Sequence, residues 1–333
     1  MSELMAGPVD VHSHVTPAHF PADRRDEARW PCMCYKAPDQ ATITFGTKPF
    51  RKLDLRSWDI ERRLEDLDRH GLAAQVLSPM PELLSYWFAP PAAAALCDHV
   101  NAEIAGQVAV APRRLAGLGM VPMQDPDLAI RHLERIKHDF GLAGVEVGSN
   151  INGAYLGEVR FAPIFEAAAE LGLAVFVHAL HPVATRDSTI SPAFSAMAGF
   201  PLDVGATAAS LLMAGTLDRY PGLRIGFSHG GGALPSILAR LEHSCARGMV
   251  ALAGASTPVE MAARMFFDSN VYSARHLRYL IEAVAPGQFF LGTDYPYPIM
   301  ENDPVALAAA AGLESAAHQS LLEGAARRFL GQR

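Results

Sequence analysis

Asp10-Val11-His12-Ser13-His14 sets two imidazoles two residues apart at the close of an apolar run, and side chains two apart on a β-strand face the same way. The two rings therefore converge, as a divalent cation requires. A lone His-x-His recurs by chance in many chains. Three further apolar runs, however, end in residues of the same kind: His178 after Val175-Phe176-Val177, His229 after Gly226-Phe227-Ser228, and Asp294 after Leu291-Gly292-Thr293. Imidazole nitrogen and carboxylate oxygen suit zinc, manganese or iron, and a catalytic ion keeps one position open for water or substrate. His12, His14, His178 and Asp294 can supply the protein's bonds, and an ion so held brings hydroxide within reach near neutral pH. His229 is left beside the ion, followed by Gly230-Gly231-Gly232, which permit close approach; it can carry a proton to or from substrate, its plainer role being that of a further ligand. His19, His70, His99, His132, His138, His276 and His318 fall in helix-like or loop-like segments and read as surface or core histidines.

Such residues act together only if the fold gathers them. Short apolar runs that read as buried parallel strands occur at 7–12, 73–78, 115–121, 143–147, 173–178, 223–228, 265–269 and 288–293. Helical periodicity lies between them, at 58–70, 91–110, 127–140, 161–171, 204–220, 234–247 and 273–284. Eight alternations with right-handed crossovers predict an α/β chain closed into a (β/α)8 TIM barrel, with the four histidines and Asp294 at the C-terminal ends of strands one, five, six and eight. Two segments interrupt the alternation: residues 15–57, read as a small β insertion after strand one, and 180–203, read as a Pro- and Ser-bearing loop after strand five. Both leave the face where barrels keep their chemistry, so either can cover the site. The 333 residues are read as one barrel domain spanning 1–333 with that insertion.

Half of the residues are apolar and the net charge is −7, which fits a compact chain and offers no basic face for nucleic acid. Cys32, Cys34, Cys97 and Cys245, without a leader or a run of eighteen apolar residues, suggest free thiols in a cytoplasmic protein that binds no membrane. Cys32-x-Cys34 lacks a second pair at zinc-finger spacing.

At these residues the chain resembles the amidohydrolase superfamily, and within it the metal-dependent decarboxylases typified by 2-amino-3-carboxymuconate-6-semialdehyde decarboxylase. The resemblance spans nearly the whole chain: the Asp-x-His-Ser-His opening, Pro49-Phe50-Arg51 and Trp58-Asp59, Gln75-Val76, Val121-Pro122-Met123-Gln124-Asp125, His178, the His229-Gly-Gly-Gly run and Gly292-Thr293-Asp294-Tyr295-Pro296. It implies one divalent metal, zinc or alternatively manganese, with His12, His14, His178 and Asp294 as ligands, His229 as acid/base and no organic cofactor. It further implies that Arg51 and Arg240 contact substrate carboxylates, Arg240 reaching the neighbouring site of a homodimer. A guanidinium suits that role because its planar fork holds a carboxylate in two hydrogen bonds.

The chain departs from the family pattern after strand five, where His178 is followed by Ala179-Leu180-His181-Pro182 in place of an immediate proline, so His181 competes with His178 as a ligand. The next loop offers Pro192, Phe194 and Phe200 where the family places tryptophan over substrate. The expected activity is non-oxidative decarboxylation of an unsaturated or aromatic carboxylate, a carbon-carbon lyase reaction with His229 relaying the proton. Hydrolysis or hydration on the same metal is the alternative, because fold does not fix function.

Overall fold

A computed structural model describes residues 3–21 and 28–332, so residues 22–27 of the expected insertion lie outside the described residues. Eight strands form the central sheet: β1 (Val9–Val15), β5 (Ala74–Pro79), β6 (Leu115–Gly119), β7 (Gly144–Gly148), β10 (Ala174–His178), β11 (Arg224–Phe227), β12 (Phe266–Asp268) and β13 (Phe289–Phe290). They pair in parallel in that order, and parallel bridges from Asp10 to Leu291 and from Ser13 to Tyr295 bring the last strand back to the first. The result is the expected (β/α)8 barrel. The strands were legible because a parallel sheet covered on both faces needs apolar side chains at nearly every position.

The segment after β1 holds an antiparallel sheet of β2 (Pro31–Ala37), β3 (Gln40–Phe45) and β4 (Lys48–Asp54), which delivers Arg51 to the barrel mouth. A two-stranded ribbon, β8 (Asn150–Ile151) with β9 (Ala154–Tyr155), follows β7. The segment 180–203 is not the loop expected from its Pro and Ser content. Pro192–Phe194 is helical, Ser195–Gly199 is a π turn, and both run directly into the helix Phe200–Met213. Pro192 opens the run, where a missing N–H costs no hydrogen bond, whereas Pro201 follows the π turn directly and cannot donate back into it. By length and composition the stretch Ser195–Met213 resembles a membrane span, but half of it is buried inside the fold. The helix expected over 204–220 is broken at Gly215, which has φ +62°, before Thr216–Arg219.

Alternate residues of the strands, among them Val9, Val11, Ala74, Val76 and Phe176, share one buried cluster with Phe290, Phe329 and Leu330. The terminal helix Ala325–Leu330 thus closes the end of the barrel opposite the mouth, and Phe329 O accepts from Arg224 Nε at 2.7 Å beside the start of β11. One face of the barrel is left for chemistry.

Candidate metal centre

β1 is irregular between Asp10 and Ser13 where it pairs with β5. That irregularity is held from outside by Arg63, a residue 1% exposed on the helix Ile60–Arg69. Its Nη1 donates to Gln75 Oε1 at 2.8 Å and its Nη2 to the carbonyl of His14 at 2.7 Å. Asp10 faces the same network, accepting from Gln75 Nε2 and Thr293 Oγ1, both at 2.7 Å, and burial pushes its carboxyl up to about 6. These contacts fix the backbone on either side of the two histidines.

The rings of His12, His14 and His178 and the carboxylate of Asp294 meet above the barrel floor, and one donor atom from each lies within 4.8 Å of all the others. His12 Nδ1 donates to Asp268 Oδ2 at 2.5 Å, His14 Nδ1 to the carbonyl of Pro79 at 3.0 Å, and His178 Nδ1 to that of Ala179 at 2.9 Å. With every Nδ1 engaged, the three Nε2 atoms turn to the centre, the usual way in which outer partners orient ligating imidazoles. His12 Nε2 and His14 Nε2 stand 3.1 Å apart, and Asp294 Oδ1 is 3.5 Å from the first and 3.2 Å from the second. His178 Nε2 and Asp294 Oδ1 are buried with no hydrogen-bond partner among the described residues. Converging lone pairs and orphaned buried acceptors are what one divalent cation, about 2 Å from each, would satisfy. The residues present fit such an ion.

The local field favours positive charge. Burial alone would lower the His12 pKa, but Asp268, Asp294 and Asp10 raise it to about 9. Burial would raise the Asp294 carboxyl, yet His14 and its neighbouring imidazoles hold it below the ordinary carboxylate range. His178 is pushed far down by burial and by the surrounding imidazoles, so it presents a neutral ring. Gly292 permits this closeness, since a Cβ there would lie 2.7 Å from that of Asp268 and 2.9 Å from that of His12.

A cavity of about 1080 Å³ opens over the quartet, lined by His178, His229 and Asp294 at its base and by Arg51, Glu82, Phe200 and Tyr297 higher up. The His229 ring lies 5.5 Å from that of His12 and 5.3 Å from that of His178, with Phe200 stacked against it at 6.5 Å. Its Nδ1 pairs with Ser228 Oγ at 3.1 Å, and burial and His12 lower its pKa. Gly232 meets Pro201, whose carbonyl oxygen would be 2.0 Å from an added Cβ, so the glycine run is what lets the helix after β10 press down on His229. His181 lies on the cavity wall with its ring 5.1 Å from Trp87 and is not one of the gathered four. Arg51 also lines the wall, while Arg240 is exposed on the helix Leu234–Ala246, away from the cavity of its own chain.

A model of the family described as Amidohydrolase matches residues 9–332. The chain belongs to the amidohydrolase family. The amidohydrolase is 31% identical over 328 residues to 2-amino-3-carboxymuconate-6-semialdehyde decarboxylase of Dictyostelium discoideum, an alignment covering 97% of this chain and 91% of the relative. Its fold superposes on 5-carboxyvanillate decarboxylase from Sphingomonas paucimobilis with TM-score 0.80 and 25% identity, covering 98% and 99% of the two chains. A 5-carboxyvanillate decarboxylase from Novosphingobium aromaticivorans, complexed with manganese and 4-hydroxy-3-methoxy-5-nitrobenzoic acid, matches with TM-score 0.73 and 25% identity over 83% and 81%.

Several site residues of the amidohydrolase escaped the sequence reading. Asp268 closes the run Phe266-Phe267-Asp268 as His178 closes its own strand, and that shared pattern was the available signal. Glu146, a lone charge inside Gly144-Val145-Glu146-Val147-Gly148, lies fully buried with Oε2 3.6 Å from His14 Nδ1, and burial drives its pKa well up. His276, read as an ordinary histidine, lies on the cavity wall. Glu82 and Asn270 lie there too, without any motif to mark them.

Proposed function

We propose that this amidohydrolase is a zinc-dependent, non-oxidative decarboxylase of an unsaturated or aromatic carboxylic acid, acting as a cytoplasmic homodimer. The observation that carries this reading is His229, a titratable ring beside the four-donor cluster at the base of a cavity large enough for a ring acid. The likeness to carboxymuconate and carboxyvanillate decarboxylases supports it.

A divalent cation held by His12, His14, His178 and Asp294 would act as a Lewis acid toward the conjugated acid. Three imidazoles and a carboxylate favour zinc, with manganese the alternative. The rest of the chemistry falls to the chain. With Nδ1 tied to Ser228, His229 offers Nε2 to the carbon that loses carbon dioxide. In its protonated form the ring is the acid: as the carbon–carbon bond breaks and carbon dioxide leaves, the electron pair returns to that carbon and takes the proton from the imidazolium Nε2, leaving a neutral ring. The lowered His229 pKa eases that release from the imidazolium, and Phe200 stacks beside the ring at 6.5 Å. Arg51 orients the far end of the substrate, and Arg240 enters from the partner subunit. Four free cysteines support the cytoplasmic part of the reading.

The test is an activity screen of protein loaded in turn with zinc and manganese. Release of carbon dioxide from 2-amino-3-carboxymuconate-6-semialdehyde or from hydroxybenzoates is the expected result. Hydrolysis of lactones with no carbon dioxide released from any acid would replace this reading by the hydrolase alternative.

A further inference from the structure

Glu82 lies in the turn Pro81–Leu84 that follows β5, on the wall of the cavity that Arg51 and Tyr297 also line. It is 8% exposed, and its Oε1 accepts from Arg51 Nη2 at 3.2 Å. Its other oxygen, Oε2, is buried with no hydrogen-bond partner among the described residues. The Arg51 guanidinium lies 4.2 Å from the centre of the Tyr297 ring and uses a single nitrogen on Glu82. Arg51 is therefore not a bare cation awaiting a carboxylate. Together the two side chains form a charge-paired patch on the cavity wall, in which the Glu82 carboxylate accepts and the remaining guanidinium N–H groups donate.

A wall whose cation is already paired favours the ligand that hydrogen-bonds to both members of the pair without adding a like charge beside the carboxylate. A second carboxylate placed here would find Arg51 already engaged and Glu82 opposing it as a like charge. A hydroxyl both donates and accepts, and so satisfies Glu82 and Arg51 at once. We propose that Glu82 is a specificity-determining residue that selects, at the end of the substrate that meets Arg51 and Tyr297, a hydroxyl group over a second carboxylate. This departs from the di-acid substrate that a pair of arginines suggests. It rests on the decarboxylase reading, which places an organic acid in the cavity.

The experiment is equilibrium binding of 3-hydroxybenzoate and of benzene-1,3-dicarboxylate to zinc-loaded full-length protein by calorimetry, with carbon dioxide release from both acids followed in parallel. Wild type should bind the hydroxy acid at least about tenfold more tightly than the dicarboxylate, as expected for avoiding a like-charge contact. Glu82→Gln keeps the shape and removes the charge, so it should abolish or reverse that ratio, mainly through tighter dicarboxylate binding. Arg51→Gln leaves Glu82 uncompensated and should move the ratio the opposite way, a pair of opposed shifts that general loosening of the wall does not produce. Equal or preferred binding of the dicarboxylate by wild type, a ratio unchanged in Glu82→Gln, or no binding of either acid overturns the inference. The expected ratios without carbon dioxide release from either acid support the role of Glu82 and count against the decarboxylase reading. Carbon dioxide release with an unchanged ratio does the reverse.

Discussion

His229 and Asp294 both take left-handed backbone conformations, with φ of 56° and 67°. Such geometry costs a residue other than glycine about 1–3 kcal/mol and persists only where its surroundings enforce it. Here the enforcement is visible: Gly230 N donates to Asp268 Oδ1 at 2.7 Å, and Asp294 N donates to the carbonyl of His12 at 2.8 Å. The strain thus aims one ring and one carboxylate at the same point, but the two should not do the same job. Asp294 Oδ1 stands within 3.5 Å of two imidazole nitrogens, whereas His229 lies outside the four-donor cluster. His229→Asn should purify with as much zinc as wild type while turnover falls by about two to four orders of magnitude, the range typical of a lost general acid/base. Asp294→Ala should lose both metal and activity, because three donors leave the shell incomplete. Metal analysis by mass spectrometry beside steady-state kinetics separates the two. Zinc loss in His229→Asn equal to that in Asp294→Ala would make His229 a ligand.

Among the elements, the helix Ile60–Arg69 shows how far the site depends on parts that touch no substrate. Its helical periodicity is readable in the sequence, but nothing there marks Arg63, whose role comes from β1 and β5 lying beneath it. There its guanidinium feeds Gln75 and the His14 carbonyl and lies 4.6 Å from the Tyr295 ring centre. Arg63→Met keeps much of the packing and removes the donors, leaving buried acceptors unpaired. It should lower stability by roughly 3–5 kcal/mol, as for one partner taken from a buried charged network, and weaken zinc binding as His14 loosens. Chemical denaturation with a zinc titration measures both, and a variant within about 0.5 kcal/mol of wild type would show that the Arg63 network does not hold β1. The same contrast explains what the chain itself discloses. Strand-end histidines are visible because a polar residue stops an apolar run. Arg63, Glu82 and Asn270 acquire their roles only from neighbours distant in sequence. The helices Pro304–Ala310 and Ser315–Gln319 were missed because alanine-rich stretches show little contrast between faces, and the π turn at Ser195–Gly199 because small and polar residues there imitate a loop.

At the scale of the whole molecule the open question is whether one chain suffices. Arg240 lies on the helix Leu234–Ala246, exposed, without an ion pair among the described residues and off the cavity of its own chain. Met213, Met249 and Val259 expose 42%, 75% and 40% of their surfaces on segments flanking this helix, an apolar setting suited to burial against a second copy. In a two-fold dimer each subunit would lend its Arg240 to the other, and every such contact would occur twice. Asp294→Ala and Arg240→Ala should then each be inactive alone, yet regain activity when mixed under conditions of subunit exchange. Each mixed dimer has one site with an intact set of ligands and an intact donated arginine, so a fully exchanged mixture should reach about a quarter of wild-type turnover: half the dimers are mixed and half of their sites are complete. Differently tagged subunits, co-purified and assayed, report exchange independently of activity. Tagged mixed dimers that remain inactive, or a fully active monomer in solution, would confine Arg240 to its own chain and end the shared-site model.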